Sequence, residues 1–504
     1  MAASQDDIEE VEILVVGSGP TGLGAATRLQ QHGHPSWLMI DAFDEAGGLA
    51  CTDTTPEGFL FDMGGHVIFS HFQYFDDLID TAVGTGDDYW ATHQRVSYVW
   101  LKNTWVPYPF QNNIQALPVE DQIACINGLV EAKVMNATAI GKPTTFDEWI
   151  VRVMGEGIAN IFMRPYNFKV WAFPTEDMQC GWLGERVATA DTARVIRNVL
   201  TKQDDAGWGP NAVFRFPHEG GTGAIWTKVA ALLPEDKQRY KTKMTALDLD
   251  AKVVTLDSGK KIKYQRLLTT VPLDVTLRMV GQGAIADELN YSSSHIIGLG
   301  IRGLNPHDLK CWLYFPEDDC PFYRCTVFSH YAKANTPADG AKLPTLRLAS
   351  GEKPATEEAL EGPYWSLMFE VSESVKKPVD FATILEQTIQ GAINTKLCSP
   401  NAEIVSTYHR RLEHGYPTPH VMRDAALAKA LPLLQKHDVW SRGRFGSYKY
   451  EVANQDHSCM IGVEAADNIL FGTKEFTLFH PSLANEGGKK NFDLKYAAPT
   501  TAAP

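Results

Sequence analysis

The chain has no surplus of positive charge. Its 61 Asp and Glu outnumber 46 Lys and Arg, leaving a formal net charge of −15, which disfavours nucleic acid and anionic membrane surfaces as partners. An anionic small ligand is also repelled at long range, so a phosphate-bearing substrate requires arginines gathered locally against the overall field. No stretch approaches the roughly 18 uninterrupted apolar residues of a membrane span. Met1 to Glu10 is acidic and lacks the basic-then-apolar order of an export signal. The 8 cysteines (Cys51, Cys125, Cys180, Cys311, Cys320, Cys325, Cys398 and Cys459) follow no framework spacing. The nearest pair, Cys320 and Cys325, lacks a Cys or His partner at metal-ligand spacing. Reduced core thiols in a cytoplasmic protein are the expectation. A Ser-His-Asp arrangement, paired carboxylates and a metal cluster are absent too, so a bound cofactor is expected to carry the chemistry.

What is present is a soluble composition, 44% hydrophobic and 21% charged over 504 residues, long enough for two or three domains. Val11 to Val16 reads as a strand, Gly17 to Gly22 as a glycine-rich turn, Leu23 to Gln31 as a helix and Trp37 to Ile40 as a second strand ending at Asp41, together one βαβ unit. In Gly17-Ser18-Gly19-Pro20-Thr21-Gly22 the first glycine allows the tight turn. The second admits a pyrophosphate to the backbone, and the third lets helix and strand pack closely. The helix N-terminus offers N–H groups to the phosphates, and Asp41 stands where a carboxylate accepts from ribose hydroxyls. Glycine pairs follow in Gly47-Gly48-Leu49 and, after a strand over Phe59 to Met63, in Gly64-Gly65-His66. An isoalloxazine lying flat on the backbone needs glycine where side chains would clash. These pairs resemble the FAD family of amine oxidases, phytoene desaturases and sugar mutases, although Leu49 stands where amine oxidases usually carry Arg.

Val119 to Leu200 reads as helical, with Trp149, Ile150 and Val153 on one helix face. Thr201 to Pro210 has the composition of a mobile loop. Shorter runs at Ile296–Ile301, Cys311–Phe315, Thr326–Phe328 and Tyr364–Phe369 suggest a second, mostly antiparallel sheet. A helix starting near Gln455 and running to Ile469, capped by Asp456 or Ser458, aims its positive end at whatever binds there.

Several segments resemble the eukaryotic, fungal-type UDP-galactopyranose mutases, in order along nearly the whole chain. They are Gly64-Gly65-His66-Val67-Ile68-Phe69-Ser70-His71, Pro107 to Asn113 (PYPFQNN), Arg164 to Trp171 (RPYNFKVW), Trp182-Leu183-Gly184-Glu185-Arg186, Trp312 to Pro316 (WLYFP), Tyr408-His409-Arg410-Arg411 and Gly415-Tyr416-Pro417. The resemblance implies an α/β fold: a Rossmann-like FAD-binding domain in three pieces (8–95, 206–285 and 431–495), an inserted helical bundle domain (116–205), a mostly antiparallel β-sheet domain (96–115 and 286–430) and a disordered tail (496–504). It implies an isomerase interconverting UDP-galactopyranose and UDP-galactofuranose, with N5 of reduced FAD as the nucleophile at the anomeric carbon, NADPH or NADH as reductant and a tetrameric assembly.

The same resemblance assigns roles. FAD contacts are Gly17, Gly19, Thr21, Gly22, Asp41, Gly48, Leu49, Gly64, Gly65, His66, Arg444, Asn454, Gln455 and Ser458. Tyr108, Phe110 and Gln111 give uracil a stacking face and an amide partner, with Phe162, Asn167 and Trp171 completing the nucleotide pocket. Arg186 and Arg324 are the pyrophosphate cations, joined by Tyr314, Tyr416 and Tyr450; Trp312 and Asn454 also contact substrate. Asn211 and the Gly181–Arg186 turn sit on lids, His66 positions the flavin, and Arg95 with Arg444 meets the reductant's phosphates. Two rivals stand beside this reading: a flavin amine oxidase or desaturase, and a non-catalytic binding protein like the GDP-dissociation inhibitors.

Overall fold

The computed structural model describes residues 8–206, 209, 212–307 and 309–490. The expected tail (496–504), and Gly207, Trp208, Pro210 and Asn211 of the expected lid, lie outside the described residues.

The first strands form as the apolar runs require. β1 (Glu9–Val16) leads through the glycine turn into α1 (Pro20–Gln31) and on to β2 (Trp37–Ile40), which pairs parallel with β1. On its other side β1 pairs parallel with β3 (Lys261–Thr269), which carries an antiparallel extension through Val253–Leu256 to Met244–Asp248. Because β1 is covered on both faces, its alternate residues enter different cores: Ile13 and Val15 one, Leu14 and Val16 the other. α1 begins at Pro20, ahead of the expected Leu23, because proline's fixed φ suits the first helical position.

The helical region contains α2 (Val119–Thr138), α3 (Phe146–Ile158), a π turn over Ala159–Met163, α4 (Arg164–Trp171) and α5 (Thr192–Thr201). α2 and α3 meet at glycine: a Cβ on Gly155 would lie 2.0 Å from the Gly128 carbonyl oxygen. The segment after α5 is tied down over part of its length, because Asp205 exchanges two hydrogen bonds with the Asn113 side chain, at 2.7 and 2.9 Å.

A second sheet is built on β4 (Tyr291–Arg302), flanked antiparallel by β5 (Tyr364–Glu373) and β6 (Glu403–Pro417). It extends from β5 through Arg324–Thr326 and Trp312–Tyr314 to Ser97–Leu101 and Thr104–Pro107, with one parallel pairing, between Trp312–Tyr314 and Ser97–Leu101. The strand expected at Thr326–Phe328 lies earlier, at Arg324–Thr326. Phe328 opens a tight turn instead, its carbonyl accepting from the Tyr331 N–H and the Asn335 amide.

α6 (Gln455–Phe471) is buried along almost its whole length and crosses α1 at backbone contact. A Cβ on Gly24 would come within 2.3 Å of the Cys459 carbonyl oxygen, and one on Gly462 within 1.9 Å of the Thr21 carbonyl oxygen. Glycine on both helices therefore lets the two N-termini converge. The cap differs from expectation. Asn454 occupies it without a side-chain cap bond, and Asp456 turns inward to accept the His71 backbone N–H (2.9 Å) while meeting the His71 ring Nδ1 at 2.7 Å.

Candidate active site

One cavity of about 950 Å³ runs from Asp41, along the converging ends of α1 and α6, to a face of the second sheet. At its first end the glycine turn makes a cradle that side chains would fill. Gly17 has φ +104°, and a Cβ there would lie 1.9 Å from Thr270 Oγ1; one on Gly22 would lie 1.8 Å from the Gly17 carbonyl oxygen. Gly19, Thr21, Gly48 and Leu49 line the wall, with Gly47 N–H bonded to the Ser18 carbonyl to hold the two glycine turns together. Gly22 stands behind them as a packing residue. Asp41 closes β2 and accepts from the Ser18 N–H (2.5 Å), the Ser18 hydroxyl (2.7 Å) and the Phe43 N–H (2.8 Å), so its carboxylate is oriented before any ribose arrives.

The middle of the cavity is walled by Gly64, Gly65 and His66 opposite Arg444, Asn454, Gln455 and Ser458. Gln455 spends its side-chain oxygen on Trp226 Nε1 (2.6 Å), while Asn454 Nδ2 and His66 Nδ1 are buried with no hydrogen-bond partner among the described residues. A backbone cradle at the positive end of two helices, an oriented ribose carboxylate and orphaned polar atoms in the middle fit an FAD. Burial, reinforced by the nearby positive charges of Arg444 and Arg324 and opposed by Glu370, lowers the His66 pKa to about 4, so the ring is neutral at physiological pH.

The far end gathers cations. Arg186 donates to Asn454 Oδ1 (2.7 Å) and the Glu451 carbonyl (3.0 Å), with its Cζ 5.4 Å from the Tyr450 ring centroid. Arg444 lies over Tyr416 at 4.8 Å, and Arg95 over Tyr108 at 4.9 Å and Trp312 at 5.9 Å. Arg324 forks onto Glu370 at 2.6 and 2.8 Å. Tyr314 accepts from Trp312 Nε1 at 2.5 Å. Burial raises the pKa of Tyr108, Tyr314 and Tyr416, keeping these phenols protonated.

Phe110, Gln111, Phe162, Asn167 and Trp171 are not brought to the cavity wall. Phe110 stacks on Phe162 (4.5 Å), which stacks on Tyr166, and Trp171 sits edge-on behind Tyr450 at 4.8 Å. Gln111 Nε2 donates to the Ala188 carbonyl at 2.5 Å, and Asn167 Nδ2 to the Met163 carbonyl at 2.7 Å.

Sequence reasoning missed Glu370, whose only signal was an acid closing the apolar run Tyr364-Trp-Ser-Leu-Met-Phe-Glu370. It also missed the buried group His71, Asp456 and His457, because 385 residues separate His71 from Asp456. Asp456 already engages His71 through both its backbone and its ring, so the group as it stands is a hydrogen-bonded brace between the Gly64–His71 turn and α6.

A family profile described as an NAD(P)-binding Rossmann-like domain matches residues 15–81. The crystal structure of a reduced UDP-galactopyranose mutase is 45% identical to the chain, covers 95% of it and is itself 98% covered, with a TM-score of 0.87. A protein described as a protoporphyrinogen oxidase, from Exiguobacterium, shares the fold at 13% identity and TM-score 0.62, with 94% and 100% covered. Putrescine oxidase bound to putrescine does so at 14% identity and TM-score 0.58, with 92% and 99% covered.

The His66 pKa carries a pH prediction. Its folded value of about 4 lies below the ordinary 6.5, so the unfolded chain takes up a proton first as pH falls. The stability contributed by neutral His66 is present above 6.5 and is lost toward 4. His66→Phe is expected to remove about 1–2 kcal/mol of the stability lost between pH 7 and 5, read as a smaller drop in Tm over that range.

Proposed function

The chain belongs to the UDP-galactopyranose mutase family, and from that premise we propose a fungal-type, cytoplasmic enzyme that interconverts UDP-galactopyranose and UDP-galactofuranose and supplies galactofuranose for cell-surface glycans. The observation that carries the reading is the union, in one cavity, of a dinucleotide cradle with six arginines, Arg95, Arg186, Arg324, Arg410, Arg411 and Arg444. A departing nucleoside diphosphate leaves with negative charge, and an acidic protein can receive it only where such cations converge. All eight cysteines are free thiols, and no helix among the described residues is long and apolar enough to cross a membrane; both features are compatible with the cytoplasm.

When bound, reduced FAD supplies a nucleophilic nitrogen for the anomeric carbon. The chain's own residues do the remaining work. Arg186 and Arg324 hold the pyrophosphate, and the protonated phenols of Tyr314 and Tyr416 donate to its oxygens. Retaining UDP in the cavity makes its return to the sugar effectively intramolecular. Neutral His66 positions the flavin without adding charge. For uracil to meet Gln111, the Gly181–Ala190 segment must release the Gln111 amide from Ala188, and we take that segment as a lid. Arg95 and Arg444 then meet the phosphates of NADPH or NADH, which reduces the flavin before turnover.

A tetramer is part of the proposal. α2 leaves Val119, Ile123, Val130 and Val134 exposed at spacings that share one helix side, an apolar stripe suited to a second copy of the chain.

Incubated with UDP-galactofuranose, the protein is expected to form UDP-galactopyranose only after reduction by dithionite or NADPH, read by chromatography of the UDP-sugars. Conversion by oxidised protein, or none in any arm with flavin bound, rejects the reading, and sustained oxygen consumption with an amine favours the oxidase alternative. Arg186→Ala is expected to lower kcat/KM for UDP-galactopyranose by about 100-fold at unchanged flavin content; unchanged kinetics remove Arg186 from the site. Sedimentation velocity is expected to show a tetramer that dissociates on Ile123→Glu with Val130→Glu, and a monomeric parent protein defeats the assembly.

A further inference from the structure

Glu370 lies on β5 with its side chain 2% exposed, against the cavity that holds Arg324 and His66. Both carboxylate oxygens are fully used. Oε1 accepts from Arg324 Nε (2.6 Å) and from the Gly65 backbone N–H (3.0 Å), while Oε2 accepts from Arg324 Nη2 (2.8 Å) and the Tyr323 hydroxyl (2.7 Å). The parallel fork fixes the plane of the guanidinium as well as its position. Arg324 Nη1 takes no part in this fork, and Arg324 Nη2 also approaches the Tyr416 hydroxyl, at 3.5 Å.

The turn that Glu370 holds has little slack. A Cβ on Gly65 would lie 3.2 Å from both Arg324 Cζ and Thr326 Oγ1, so the Gly64–Gly65 backbone and the guanidinium are in near contact. One carboxylate thus ties the flavin-facing turn to the cation at the far end of the cavity.

We infer that Glu370 is a positioning residue for the pyrophosphate site, setting where Arg324 points and joining it to the Gly64-Gly65-His66 turn. The inference rests on the UDP-sugar reading above. It runs against simple charge counting. A buried carboxylate beside an anion site should weaken anion binding, so removing its charge alone should tighten the site. If its main effect is to aim Arg324, removing it should loosen the site instead. The sign of one measurement therefore separates the two accounts.

The test is equilibrium binding of UDP to the oxidised, FAD-loaded protein by titration calorimetry. Glu370→Gln keeps the shape but cannot complete a double-acceptor fork, and is expected to weaken UDP binding about tenfold at unchanged flavin content. On an Arg324→Ala background the same change is expected to alter UDP affinity less than about twofold, since its effect passes through the guanidinium. Equal or tighter binding by Glu370→Gln overturns the inference, as does an undiminished tenfold loss without Arg324. Should Glu370→Gln fail to hold flavin, Tyr323→Phe keeps the charge and frees one partner of Oε2; it is expected to weaken UDP about two- to threefold, and unchanged binding overturns the inference. A parent protein that fails to bind UDP at all overturns the substrate reading and the inference with it, whereas a parent that binds and a Glu370→Gln variant that binds equally well reject the inference alone.

Discussion

The cavity depends on gathering six arginines into its lining, Arg95, Arg186, Arg324 and Arg444 among them, inside a protein with a net charge of −15. Burying cations costs desolvation energy, and clustering them adds repulsion. The chain meets both costs mostly without buried acids. Arg95, Arg186 and Arg444 each lie over an aromatic ring and, for Arg186 and Arg444, donate to carbonyl or amide oxygens. A π face gives a guanidinium partial compensation while leaving its charge available to a ligand. Arg324 is matched by a fully buried carboxylate, Glu370, and its pairing leaves Nη1 outside the fork. Burial tends to raise the pKa of Glu370, but Arg324's charge and hydrogen bonds, with those of Tyr323 and Gly65, hold it below the usual carboxylate value.

The backbone supplies what side chains would obstruct. The α1–α6 crossing requires glycine at 24 and 462 because each faces the opposing helix's carbonyl oxygens. This contact brings both positive helix ends to one ligand-sized space. Asp456 then braces α6 against the Gly64–His71 turn through His71, where a conventional cap would have spent the same carboxylate on α6 itself. The packing of α1 on α6 and the geometry of the cavity are therefore set by the same residues.

Legibility in the sequence followed the range of the interactions. The βαβ unit was readable because strand period, glycine spacing and Asp41 all fall within a few dozen adjacent residues, and the long apolar strands of the second sheet announced themselves by composition. Glu370 was not readable, since its partners Gly65, Tyr323 and Arg324 come from distant segments and only the fold brings them together. The cap of α6 was misassigned for a related reason: Asp456 satisfied the local rule, but a buried histidine 385 residues away made the better partner. Phe110, Gln111 and Trp171 carry family motifs, yet they sit behind the wall here because local packing against Phe162, Ala188 and Tyr450 satisfies them first.

The shared fold also explains how similar cradles host different chemistry. Putrescine oxidase matches at a TM-score of 0.58 with 14% identity, so what the two hold in common is architecture. Architecture alone positions a dinucleotide at a topological switch between strand ends and helix ends. What lies beyond the flavin turn is set by Arg324, Tyr314 and Tyr416 from the second sheet, Arg186 from the helical region and Tyr450 from the turn before α6. A primary amine that binds as a cation would meet a wall of guanidiniums and be repelled. A pyrophosphate would meet the donors it requires. On the reading proposed above, the reacting partner is selected at the far end of the cavity, by the sign of the charge that the aromatic rings and Glu370 hold in place.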